Sequence, residues 1–230
     1  MVKDDTLNVV QSKSGIPPKG LAQLWGSTER GARGPAARHS VQDVADVGVA
    51  LADSDGVAAV TLAKVAARLG LTTSALYGHV DTKDVLIELI VDRAIGPPPR
   101  LPASGTGPWQ DRARAWALAL AERYGRHPWL GAVVVGGVPR RPSLYAWLDA
   151  FLGALEDAPA ELDRLRLAQL LDGVVRARAA VLSDLAPPPG WLVTAVAGRF
   201  PRLAGELDRD WATPDDELHY ALDVVLRGCA

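Results

Sequence analysis

One cysteine, Cys229, stands in a chain of 230 residues, so no internal disulfide can staple the fold. A reducing cytoplasm is the compartment this suits. Long apolar runs are missing too: none approaches the roughly 20 residues that cross a bilayer, so no membrane partner is expected. The opening residues, Met1-Val2-Lys3-Asp4-Asp5, lack the hydrophobic stretch of a signal peptide. The four histidines (His39, His79, His127, His219) show no metal-ligand spacing with acidic partners, and neither a metal nor another cofactor is expected. There is no glycine-rich phosphate loop, no nucleophile elbow and no reactive-cysteine context. Paired acids such as Glu156-Asp157 and Asp215-Asp216 suit helix ends better than acid–base work. These absences argue against an enzyme. The net charge is only −2, so any strong positive field has to be local.

What is present is a large apolar share, 48%, with 23% charged residues, the balance of a globular protein with a sizeable core. The basic charge is concentrated before residue 40. Lys13, Lys19, Arg30, Arg33 and Arg38 face Glu29 alone between Gln11 and Ser40, among eight glycines and prolines. Such a composition buries too little apolar surface to offset backbone ordering. Residues 1–39 therefore read as a flexible basic arm, with a short turn at Leu21 to Trp25.

Helical signals begin at Ser40, an N-cap with Asp43 at the capping-box position. Val41, Val44, Val47 and Leu51 mark one apolar face, and Asp55-Gly56 ends the helix. A second helix starts at Thr61 and buries Leu62, Val65, Ala66 and Leu69, with Gly70 placed where a left-handed backbone costs least. Thr72 caps a third helix that turns Ala75, Leu76 and Val80 inward. Asp81 is the expected cap of a fourth, with Asp84 at its box position. Val60–Leu86 thus has the pattern of a helix-turn-helix closed by a supporting helix, a module able to set one helix in a DNA major groove.

Gly96-Pro97-Pro98-Pro99 stops the fourth helix, and Pro102, Gly105, Gly107 and Pro108 extend the break. The expected units are the arm at 1–39, a DNA-binding domain at 40–96, a linker at 97–108 and a second domain at 109–230. Helices are expected there at 109–126, 143–156, 161–185, 191–207 and 213–227, the last capped by Thr213. No strand-like alternation occurs, so the fold class is all-α.

These residues resemble the DNA-binding signature of TetR-family transcriptional repressors, above all L-A-K-V-A-A-R-L-G, A-L-Y-x-H-V and K-D-x-L within Val60–Leu86. Weaker similarity lies at Arg126–Leu130 and Glu217–Leu222, and Leu24-Trp25-Gly26 is similar to arms of some actinobacterial members. The resemblance implies a three-helix helix-turn-helix domain followed by a larger helical ligand-binding and dimerisation domain. It further implies a homodimer on a palindromic double-stranded DNA operator, released by a small-molecule effector. Carried over by position, Thr73, Ser74 and Gly78 would face bases, while Thr61, Thr72, Tyr77, His79 and Lys83 would touch phosphates. Tyr77 can instead be a packed aromatic, and His79 a structural histidine.

The reading helix departs from the pattern in one respect. Thr72 to His79 holds no Arg, Lys, Asn or Gln, the side chains suited to bidentate base recognition. Arg30, Arg33 and Arg38 could add affinity by reaching an adjacent minor groove. The plain alternative is a solubilising tail.

Six of seven tryptophans fall after residue 108. A surplus of rings on different helices can line a cavity for a flat or greasy ligand, although any one ring can simply fill the core. Trp116, Tyr124, His127 and Trp147 are the aromatic candidates, with Arg166, Gln169 and Arg176 as polar ones or as surface ion pairs. Leu165, Ala168, Leu171 and Val175 are expected to mate with Leu218, Leu222 and Val225 of the same or the opposite chain, forming the dimer contact. An activator, or a DNA-binding protein without a ligand, fits the same residues.

Overall fold

The computed structural model describes residues 17–26, 39–133, 138–182, 189–207 and 214–229. Every regular element among them is helical, as the pattern predicts. The N-terminal group comprises α1 (Lys19–Leu24), α2 (Val41–Asp55), α3 (Leu62–Arg68), α4 (Thr73–Leu76) and α5 (Lys83–Ile95). The second group comprises α6 (Trp109–Arg126), α7 (Pro142–Ala154), α8 (Arg164–Leu182), α9 (Gly190–Arg199), α10 (Pro201–Leu207) and α11 (Pro214–Arg227).

Local signals place most helix starts. Ser40 and Asp43 form the reciprocal capping box of α2. The Ser40 backbone N–H, then its hydroxyl, hold the Asp43 carboxyl below its ordinary range. Thr61 and Thr72 cap α3 and α4, each hydroxyl accepting from the backbone N–H three residues on, at 3.2 and 3.1 Å. Gly70 has φ +67°, the left-handed turn between them.

The fourth start differs from expectation. Thr82, not Asp81, caps α5. The Asp81 carboxylate accepts instead from the Lys19 backbone N–H at 3.0 Å, anchoring the beginning of α1. Residues 17–26 are likewise not a loose turn. Leu21 is 1% exposed, and a Cβ on Gly20 would sit 3.1–3.2 Å from Leu89, Val85 and the His79 carbonyl. An apolar helix docked on α5 outweighs the local glycine and proline content. Ala75, expected inward, is exposed because α4 lasts little more than one turn.

α2 and α5 cross closely at Gly48, where a Cβ would lie 2.4 Å from Ile90 Cγ1. Gly96 (φ +61°) and the prolines after it end α5 as read. The segment at 97–108 is fastened by Arg112, which is 1% exposed. Its guanidinium donates to the carbonyls of Ala154 (2.6 Å), Thr106 (3.1 Å) and Gly107 (2.6 Å) and pairs with Asp157.

α6 has the predicted bounds. α7 and α8 begin or end within a few residues of theirs, residues 183–188 lying outside the described part. The helix expected over 191–207 is two, α9 and α10. Pro201 forbids helical geometry at Phe200, whose φ of −128° and ψ of 75° break the run. Thr213 lies outside the described residues. α11 packs on α8 and α6, and burial of Ala168, Leu171, Val175, Leu218 and Leu222 (0–5% exposed) completes the second core.

Candidate DNA-reading face and ligand cavity

α3, the Gly70 turn and α4 leave one polar edge uncovered. Thr61, Thr72, Thr73, Ser74, Gly78 and Lys83 are all exposed on it. Tyr77 is 48% exposed, so it is not the packed aromatic of the alternative reading. His79 is half-buried, with its carbonyl close to Gly20. Leu76 and Val80 are wholly buried and fix α4 to the module. The two cap threonines use an oxygen lone pair internally and keep the hydroxyl proton for an external acceptor such as phosphate. Arg30, Arg33 and Arg38 lie outside the described residues.

In the second group, a cavity of about 440 Å³ opens between α5, α6, α7 and α8. Trp116, Tyr124 and Trp147 line it and are 2–4% exposed. Trp116 stands edge-on to Trp147 (6.0 Å between centroids) and to Phe151 (4.9 Å). Both indoles are satisfied, donating at 2.9 Å to the carbonyls of Trp147 and Gly96. At the α8 wall, the Tyr124 hydroxyl reaches Asp172 (3.4 Å) and Arg176 pairs with Asp172 (3.6 Å). Burial, reinforced by the Asp172 charge, pushes the Tyr124 phenol well above its ordinary pKa, so the ring stays neutral. Gln169 joins Arg176 in the wall but is itself exposed.

Two expected ligand residues are elsewhere. His127 Nδ1 lies 2.8 Å from Asp53 of α2, and Trp129 donates to the same oxygen at 2.7 Å, so these rings join the two helix groups. Arg166 pairs with Asp163 at 3.1 Å and is 84% exposed in its side chain. That helix face looks outward, away from the cavity.

The residues missed from sequence sit at the start of α7. Arg141, Ser143 and Tyr145 line the cavity, and the first two are held by α5. Arg141 donates to Glu88 at 2.9 Å, and the Ser143 backbone N–H donates to Asp92 at 2.8 Å. Glu88 and Asp92 are one turn apart on α5. The signal was available: two cations before Pro142, facing two acids at an i, i+4 spacing, without any local partner for either.

Of the two ways in which α8 and α11 were expected to mate, the contact within one chain is present. Ala168, Leu171, Val175, Leu218 and Leu222 are buried within the single chain, so they have no surface left to offer a second copy. Val225 is half-buried, and only Leu165 (48%) is exposed. The exposed apolar side chains on these helices are Leu165, Leu170, Tyr220 and Val224. Among the described residues no helix is long and apolar enough to cross a membrane, and no group of potential ligands could hold a metal ion.

A helix-turn-helix edge is thus joined through α5 to a helical group with an aromatic cavity, and known proteins share this arrangement. No protein-family model matches the chain. It is 34% identical over 119 residues to the HTH-type transcriptional repressor DrrR1 of Streptomyces coeruleorubidus, covering 52% of this chain and 44% of that protein. An HTH-type transcriptional regulator of Saccharopolyspora erythraea is 34% identical over 90 residues, covering 39% of this chain and 38% of its own length. The chain thus spans less than half the length of these relatives. In fold it is similar to the TetR-family protein ActR of Streptomyces coelicolor, solved in complex with (S)-DNPA. The TM-score is 0.70 at 21% identity, over 84% of this chain and 100% of that one. ActR in complex with actinorhodin gives the same TM-score at 20% identity, over 85% and 97% of the two chains. In fold the chain is thus similar to TetR-family proteins, and over part of its length it is similar in sequence to HTH-type transcriptional regulators.

Proposed function

We propose that this protein is a ligand-responsive transcriptional repressor that acts in the cytoplasm. It binds a palindromic operator as a homodimer and is released by a small aromatic or hydrophobic molecule. One observation carries the reading: the cavity wall and the DNA-reading module share α5, through the pairs Arg141–Glu88 and Ser143–Asp92. A ligand that repositions the start of α7 therefore acts on α5, which packs on α1 and α2 of the DNA-binding group. Ligand and DNA then oppose each other by a coupling free energy, typically 1–3 kcal/mol or about 5–150-fold. The repressor name of one relative supports the direction of control, and the ActR complexes support a small-molecule effector.

Thr73, Ser74 and Gly78 are proposed to face bases, and Thr61, Thr72, Tyr77, His79 and Lys83 to touch phosphates. Arg30, Arg33 and Arg38 are proposed to follow the DNA backbone into a minor groove. Two recognition helices about 34 Å apart meet successive major grooves, which is the reason for a dimer. The exposed apolar residues of α8 and α11 support a self-contact there, in place of the buried set expected from sequence.

The test is a gel shift of DNA from upstream of the protein's own gene, with and without flat aromatic compounds. Retarded DNA that a compound releases is the expected result. Simultaneous binding of compound and DNA without mutual weakening rejects the ligand response.

A further inference from the structure

The charged side chains and tyrosine hydroxyls around the cavity are spoken for. Arg141 is held by Glu88, and Asp172 by Tyr124 and Arg176. Arg176 also donates to the Val133 carbonyl, and the Tyr145 hydroxyl to that of Pro139. Ser143 is 7% exposed, and its Oγ is the one buried side-chain polar atom without a hydrogen-bond partner among the described residues. Protein interiors seldom leave such a group unmatched without a use for it. The residue lines a cavity whose other walls are largely aromatic and aliphatic, with the hydroxyl just beneath that surface.

We propose that Ser143 is the polar anchor of the effector. The molecule that fits is a flat apolar body carrying a hydrogen-bonding oxygen set against the Ser143 hydroxyl. A hydroxyl both donates and accepts, so a phenol or a carbonyl on the ligand satisfies it equally. The inference rests on the reading of the cavity as an effector site. It also gives that site a means of signalling, since the backbone N–H of the same residue holds Asp92 of α5. A ligand oxygen bound at Oγ bears directly on the residue that fastens α5 to α7.

Pyrene and 1-hydroxypyrene, fluorescent and differing by one hydroxyl, test this on the full chain. The wild type is expected to bind 1-hydroxypyrene about tenfold more tightly, the usual worth of one added hydrogen bond in a closed site. Ser143→Ala should bind pyrene as the wild type does and lose the preference. Ser143→Thr, which keeps the hydroxyl, should retain part of it. Equal binding of the two probes by the wild type, or a preference that survives Ser143→Ala, overturns the assignment of Ser143. Failure of the wild type to bind either probe overturns the underlying reading of the cavity as an aromatic-ligand site.

Discussion

Trp25 and Tyr145 lie ring against ring, centroids 5.6 Å apart, joining the N-terminal extension to a wall of the cavity. The Trp25 indole also donates to the Arg140 carbonyl at 2.7 Å. A ring pair of this kind adds about 0.5–1.5 kcal/mol beyond its area. Trp25→Ala should therefore cost about 1 kcal/mol and lower the thermal midpoint by about 2–4 °C, read by circular dichroism. Trp25→Phe should keep much of the ring contact. A midpoint unchanged by Trp25→Ala would show that the extension does not brace this wall.

Gly48 is the closest point between α2 and α5. The added methyl of Gly48→Ala meets the Cγ1 and terminal Cδ1 of Ile90, a fully buried side chain that must repack to make room. Overpacking of this kind costs about 1–3 kcal/mol. Urea unfolding should show the loss, and Ile90→Ala in the same chain should be less than additive with it.

Arg112 is a buried cation whose removal leaves three carbonyls and Asp157 without their donor. Arg112→Met keeps the aliphatic stem and should still destabilise by about 1–3 kcal/mol, the cost of leaving buried acceptors without a donor. A calorimetric midpoint within a degree of the wild type would contradict this account of the 97–108 segment.

Thr72 serves as cap of α4 and proposed phosphate contact at once. Thr72→Ala should lose about 1 kcal/mol of stability and weaken DNA binding, whereas Thr72→Ser should restore both. Fluorescence anisotropy with the operator DNA separates the roles: if affinity falls as far in Thr72→Ser as in Thr72→Ala, the hydroxyl is not the cause.

Leu170 and Val224 are 51% and 56% exposed on α8 and α11. Placing a carboxylate at either, as Leu170→Asp or Val224→Asp, sets like charges against each other across a two-fold contact. Sedimentation should shift from dimer toward monomer while helix content is kept. A dimer undisturbed by both changes moves the contact to another face.

The helix-turn-helix was legible because its signals are local. Caps at Ser40, Thr61 and Thr72, the glycine turn and the buried Leu76 all act within one helical turn of themselves. The cavity was legible in part for the opposite reason. Trp116, Tyr124 and Trp147 could be named from composition, but which rings face one space depends on how helices far apart in sequence cross. His127 shows the limit: a ring just past the end of α6 met Asp53 of α2, and periodicity carries no information on such a pairing. The apolar stripe of α8 and α11 left its partner open, same chain or opposite, because an apolar face says only that something covers it. α8 and α11 cover each other.

The fit at Gly48 also sets how movement is passed on. With no space for a side chain there, α2 and α5 interlock, and a sliding of one against the other would break that fit. Over the 13 residues of α5, about 20 Å long, a tilt of about 5° carries the far end through roughly 2 Å. On the proposed function, a displacement of that size is enough to change how the helix-turn-helix meets DNA. A missing methyl group gears the protein.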